Sequence, residues 1–96
     1  MGFNQGPNVR IVGGAKTYYG DYELTNLYVE KPFPGDVNTI TITNDSATDT
    51  CQVSWNGAVL EGDIKPGESL TYNVSTKTSV YVKGTVGGDK VRIWGW

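Results

Sequence analysis

At 96 residues, with 38% hydrophobic and 19% charged, the chain is long enough for one small core and too apolar for intrinsic disorder. A net charge of -2 with no run of like charge argues against nucleic-acid binding, which needs a basic stripe to neutralise phosphates. No stretch approaches the roughly 20 apolar residues of a membrane helix, and the first residues lack the basic and apolar segments of a signal peptide.

Residues 1–14 are rich in Gly, Asn and Pro, with one apolar patch at Val9, Ile11 and Val12. They read as an extended arm with a strand at residues 8–12, closed by Gly13-Gly14. Gly2 invites myristoylation, but position 6 is Gly where Ser or Thr is wanted. Strand signals follow at residues 16–19 and 24–30. Residues 31–36 read as a break, because Pro32 and Pro34 remove ladder donors. Residues 39–43 alternate strictly, with Ile40 and Ile42 on one side and threonines on the other.

Residues 44–50 form a polar loop, and residues 51–55 alternate again. Asn56-Gly57 predicts a type I′ hairpin turn, with residues 58–60 as the returning strand. Lys65-Pro66-Gly67-Glu68 predicts a turn. Leu70, Tyr72 and Val74 share one face of the next strand. Val80 and Val82 alternate, Gly87-Gly88 turns, and Val91 and Ile93 close the series. The sum is about eight short strands and no helical periodicity, which predicts an all-β antiparallel sandwich or small barrel. The expected organisation is an arm at 1–14 and a β-sandwich domain at 15–96.

No constellation carries chemistry. The absence of His removes the Ser-His-Asp and Cys-His devices. Cys51, alternating with Val53 and Trp55, reads as a small buried hydrophobe, and a single cysteine forms no internal disulfide. Of the ten carboxylates, Glu61 with Asp63 and Asp21 with Glu23 are the pairs to weigh for glycoside hydrolysis. Nothing near either pair raises a pKa, and both read as solvated turn residues. Residues 44–49 offer oxygens, but lack the Gly and the bidentate Glu of a calcium loop. Asn44 and Asn73 match the N-glycosylation pattern, which carries little weight without a secretory signal. The glycine pairs precede no helix, so a phosphate cradle is not expected. Hence no catalytic, cofactor-binding or metal residue is expected, and the chain is read as no enzyme.

The aromatic residues remain. With Val91 and Ile93 facing the core, strict alternation places Arg92, Trp94 and Trp96 together on the opposite face. Large rings on an outer face point to a covering partner. They also admit a carbohydrate-binding platform, which needs at least two coplanar exposed rings beside polar groups.

Residues 39–96 resemble small β-rich structural proteins of tailed bacteriophages. The carrying segments are Ile42-Thr43-Asn44-Asp45-Ser46, Val53-Ser54-Trp55-Asn56-Gly57 and Lys65-Pro66-Gly67-Glu68-Ser69-Leu70. Val80-Tyr81-Val82-Lys83-Gly84 and Arg92-Ile93-Trp94-Gly95-Trp96 complete them. The resemblance implies a non-enzymatic virion protein, assembled in the host cytoplasm as a head decoration or cement protein. Its expected partner is the major capsid protein or another virion protein, with homo-oligomers, no nucleic acid and no membrane. A tail, connector or baseplate adaptor is the alternative of the same class. The expected fold is a small antiparallel sandwich, jelly-roll or immunoglobulin-like, with an extended N-terminal arm. The expected partner-binding residues are Val9, Ile11, Val12, Arg92, Trp94 and Trp96.

Overall fold

Six strands account for the secondary structure of this computed structural model, which describes residues 17–85 and 89–96. They are β1 (Tyr18–Glu23), β2 (Val29–Asn44), β3 (Cys51–Ser54), β4 (Gly62–Ile64), β5 (Ser69–Gly84) and β6 (Lys90–Gly95). All pairings are antiparallel, in one sheet of order β1-β6-β2-β5-β3-β4. No helix occurs among the described residues. The proposed arm, with Val9, Ile11 and Val12, and the Gly87-Gly88 turn lie outside the described residues.

The long pair β2–β5 organises the sheet. Its register shifts twice. Between Pro32↔Ser79 and Val37↔Lys77, β2 advances five residues (37 − 32) while β5 covers two (79 − 77). Between Val37↔Lys77 and Thr39↔Asn73 the excess moves to β5, which covers four residues (77 − 73) against two (39 − 37). Extra residues on one strand bend it and sharpen its twist. The expected break at residues 31–36 is therefore a bulge inside β2. Pro34 falls inside the interruption, where the ladder has no position for its missing N–H, and Pro32 is the last paired residue before it, opposite Ser79. On the β5 side, Thr76 takes φ 50°, a left-handed conformation uncommon for a β-branched residue. Its hydroxyl donates to Asn38 Oδ1 at 3.2 Å.

Beyond the bulges each end of the pair takes different neighbours. β6 pairs with Ile40 to Asn44 of β2, and β3 pairs with Tyr81 to Gly84 of β5. Both ends feed one core. Ile40, Ile42, Val91 and Ile93 come from one side; Cys51, Val53, Ile64, Val80 and Val82 come from the other. The sheet folds over this cluster, and Tyr18, Tyr22, Phe33, Trp55 and Tyr72 close its margins. The period-two readings hold: Ile40, Ile42, Val91 and Ile93 are fully or almost fully buried, while Thr41, Thr43 and Arg92 alternate outward.

Other expectations need correction. There are six strands among the described residues, two of them 16 residues long, in place of about eight short ones. Residues 24–28 are loop, and Asp21 and Glu23 belong to strand β1, not to a turn. Asn56-Gly57 does lie between β3 and β4, but Gly57 alone has positive φ (81°), so a type I′ turn is excluded. The Ser54 and Asn56 side chains explain the difference. Ser54 Oγ accepts the N–H groups of Asn56 and Gly57, and Asn56 Oδ1 accepts those of Ala58 and Val59. These bonds stabilise a wide loop, and the strand returns only at Gly62. The Lys65–Glu68 turn forms as expected, with Gly67 at φ 80° and the Glu68 N–H donating to Lys65 O.

A polar lock ties the two sides together. Asn44 is fully buried at the end of β2. Its Nδ2 donates to Asp49 O and Ile64 O, both at 2.8 Å, and its Oδ1 accepts the Ser46 N–H. Ser46 Oγ in turn accepts the N–H groups of Thr48 and Asp49 and donates to Asp89 Oδ2. Asp49 Oδ1 accepts from the N–H and hydroxyl of Thr85. Gly84 lies so close beneath the Asp49 carboxylate that a Cβ at 84 would overlap it. Asn44→Ala removes three buried hydrogen bonds, each worth about 1 kcal/mol net. Urea unfolding of this variant is expected to show a loss of about 3 kcal/mol.

Burial also sets a pH dependence. Desolvation, with smaller contributions from Asp49 and Asp63, pushes the Cys51 thiol from its ordinary 9.0 up to about 12. The unfolded chain therefore releases this proton first, so Cys51 contributes stability fully below about pH 9 and loses it as pH rises toward 12. Chemical unfolding across pH 7–11 is expected to show stability falling above pH 9, with a shallower fall in Cys51→Ala.

Candidate docking face

The outward side of the β1-β6-β2-β5 region is assembled row by row from the strand registers. Tyr19, Trp94, Thr41 and Thr71 form one row, and Asp21, Arg92, Thr43 and Ser69 form the next. Facing residues on antiparallel strands lie about 4.5–5.5 Å apart, so each row is a chain of contacts. Thr41 and Thr71 share a hydroxyl–hydroxyl hydrogen bond at 2.9 Å, and Thr43 and Ser69 share one at 2.6 Å. Each bond uses one of the two hydroxyl donors and leaves the other available on the face.

The aromatic half lies across β1 and β6. The Tyr19 and Trp94 ring centroids are 5.2 Å apart with planes tilted by 47°. The Arg92 guanidinium lies 5.3 Å from the Trp94 ring centre. It also forks onto Asp45, with Nε and Nη2 donating to the two carboxylate oxygens at 2.6 and 2.9 Å. That hydrogen bond is the main reason the guanidinium pKa is raised, and the fork onto Asp45 fixes the cation within reach of the ring. Trp96 follows as the next outward residue. Its backbone is held by β2: its C=O accepts the N–H groups of Asn38 and Thr39, and its N–H donates to Thr39 O. Its side chain remains 41% exposed, and that of Tyr19 55%.

Alternation thus places Arg92, Trp94 and Trp96 on one outward side. Tyr19, Asp45, Thr41 and Thr43 belong to the same surface and were not among the expected site residues. The threonine alternation was a usable signal for two of them. Tyr19 and Asp45 become neighbours only through the β1–β6 register and the reach of Arg92.

Several of the oxygens weighed for calcium at residues 44–49 are engaged within the fold: Asn44 Oδ1, Ser46 Oγ and Asp49 Oδ1 accept backbone N–H groups, and the Asp45 carboxylate accepts the Arg92 guanidinium. No group of three or more His, Cys, Asp or Glu residues among the described residues is placed to hold a metal ion. Asp63 stands on β4 opposite Gln52, and Glu61 lies in the loop before it. Asp21 and Glu23 share the outer side of β1. No helix of the described residues is long and apolar enough to cross a membrane.

A face of this kind should add little to folding. The Arg92–Asp45 pair is solvent-exposed, so Arg92→Ala is expected to cost under about 1 kcal/mol. Trp94→Ala, which removes a half-buried ring and its contacts with Tyr19 and Arg92, should cost about 1–2 kcal/mol by thermal unfolding.

Comparison with known proteins identifies no relative: no family model, no curated protein and no solved structure matches the chain.

Proposed function

We propose that the chain is a non-enzymatic structural protein of a tailed-phage virion, assembled in the host cytoplasm, that binds the outside of the head as a decoration or cement protein. The observation that carries the reading is the exposed face bearing Tyr19, Arg92, Trp94 and Trp96 beside a ladder of threonines. Its supports are the resemblance of residues 39–96 to such proteins and the chemistry of the face. Tryptophan, tyrosine and arginine are the residues most enriched where truncation costs an interface its affinity. In the same proposal the folded sheet is a small sandwich of jelly-roll or immunoglobulin-like type, and residues 1–14 reach onto neighbouring capsid subunits. Many weak contacts on a repeating lattice then add as avidity.

The ring geometry favours a protein partner over a sugar. A pyranose face stacks on flat, coplanar rings, whereas Tyr19 and Trp94 are tilted by 47° and Arg92 already lies against the indole. The mixed signs of Arg92, Asp45 and Asp21 suit a polar protein surface of mixed charge.

Trp96→Ala tests the reading. The side chain is exposed, so the melting temperature of the free protein should move by no more than about 2–3 °C. Loss of a desolvated interfacial tryptophan costs about 2–4 kcal/mol, so affinity for purified heads should fall at least about 30-fold. Undiminished occupancy of heads by Trp96→Ala would overturn the proposed docking face. Copy number separates head from tail: hundreds per particle fit a head lattice, and six or twelve fit a ring.

A further inference from the structure

The outer edge of β1 has no strand beside it among the described residues. β1 pairs with β6 from Tyr18↔Gly95 to Glu23↔Lys90, and the Leu24 N–H donates to Asp89 O at 2.6 Å in the same register. That bond marks the even-numbered residues as those whose backbone groups face β6. The N–H and C=O groups of Tyr19, Asp21 and Glu23 therefore point away from the sheet. Natural edges are blocked by charged side chains, Pro, bulges or shortness. β1 carries Asp21 and Glu23 but no Pro or Lys, its register is unbroken over six residues, and the opposite edge, β4, has only three.

We propose that this edge pairs with β1 of a second copy of the chain, antiparallel, about a two-fold axis at Gly20. The segment is self-complementary about that residue: Tyr18-Tyr19-Gly20-Asp21-Tyr22 carries tyrosines two positions to either side. With Gly20 on the axis, Tyr19 stands opposite Asp21 of the second copy and Tyr18 opposite Tyr22 of the second copy. Inner residues meet inner ones and outer meet outer, as continuous pleating requires. Tyr19 and Asp21 exchange N–H···O=C bonds across the axis in both directions. A one-residue slip sets inner side chains against outer ones. A two-residue shift one way puts Asp21 opposite its own copy, and like charges directly opposed are unfavourable; the opposite shift leaves only Tyr18 to Gly20 of each strand within the pair. Charge, pleat and paired length therefore select one register. The contact is short, so association is weak and concentration-dependent. It uses backbone groups of the β1 edge and does not depend on the phage reading.

Sedimentation equilibrium of the full chain is expected to show a monomer–dimer equilibrium. Asp21→Pro deletes an outward-facing N–H, twice per dimer, together with the carboxylate, and Asp21→Ala is the control that keeps the N–H; relative to that control the proline should weaken dimerisation at least about tenfold without changing the far-ultraviolet circular dichroism. Cross-linking reads the register. Hydrogen-bonded antiparallel neighbours have Cα atoms about 5.5 Å apart, within disulfide reach. Tyr19→Cys mixed with Asp21→Cys should give a disulfide-linked heterodimer on mild oxidation, with little product from either alone; the native Cys51 is buried and does not compete. A monomer at every concentration, an undiminished Asp21→Pro dimer, or cross-linking of Asp21→Cys alone as efficient as in the mixture would each overturn the proposal.

Discussion

The two register shifts between β2 and β5 are the constraint on which the rest of the fold depends. An unbroken pair of 16-residue strands would make a long twisted ribbon with one apolar side open to water. Such a ribbon has too little burial to offset the entropy of ordering it. The extra residues around Phe33 to Asp36 on β2, and around Thr76 on β5, let the ribbon bend. Each half then presents its apolar side to the other. The buried parity of β2 changes with the bend: Val37 is inward on an odd position, Ile40 and Ile42 on even ones. A straight strand cannot make that switch. The strain at Thr76, in a left-handed conformation, is the local cost of closing the core.

Closure makes a second demand, which the buried polar residues meet. Where the end of β2 passes the end of β4, the backbone carbonyls of Asp49 and Ile64 converge on one buried side chain. Asn44 supplies both donors, and its own carbonyl organises the loop that follows. Asp49, reached through that loop, binds Thr85 at the end of β5. The polar stretch at residues 44–50 thus acts as an interior clamp between strands distant in sequence. Buried networks of this kind stabilise a fold only when every member is satisfied, which here fixes one loop conformation.

The legible parts of the chain were those decided locally. Period-two alternation at residues 39–43 and 90–94 assigns inside and outside, because side-chain direction in a strand is a property of the backbone. The Pro-Gly turn at Pro66-Gly67 is equally local. The misread parts were decided by partners far away. Residues 31–36 look like a break because prolines cannot join a ladder, yet the strand continues past them once the pairing slips. Asn56-Gly57 favours a tight turn, but Ser54 and Asn56 offer the loop amides other acceptors. Residues 44–50 read as a polar loop, and only the approach of β4 and Thr85 accounts for the burial of Asn44 and Asp49 within it. The docking face divides the same way: alternation delivers Arg92 and Trp94, whereas Tyr19 joins them only through the β1–β6 register.

Inside and outside carry separate duties in this fold. The central inward positions are small or aliphatic and fully enclosed, with partly buried rings at their margin. Outward positions are linked by one hydroxyl–hydroxyl bond per pair across β2 and β5, which leaves one O–H donor of each pair free for a partner. The rings are concentrated at the other end of the same rows, on β6 and β1, the latter an edge strand among the described residues. Because a strand sends adjacent side chains to opposite faces, Arg92 and Trp94 can change without disturbing Val91 and Ile93. A docking surface built on such a sheet is therefore free to match its partner while the core beneath it stays fixed. The same separation explains why truncating an exposed ring here is expected to act on binding far more than on folding.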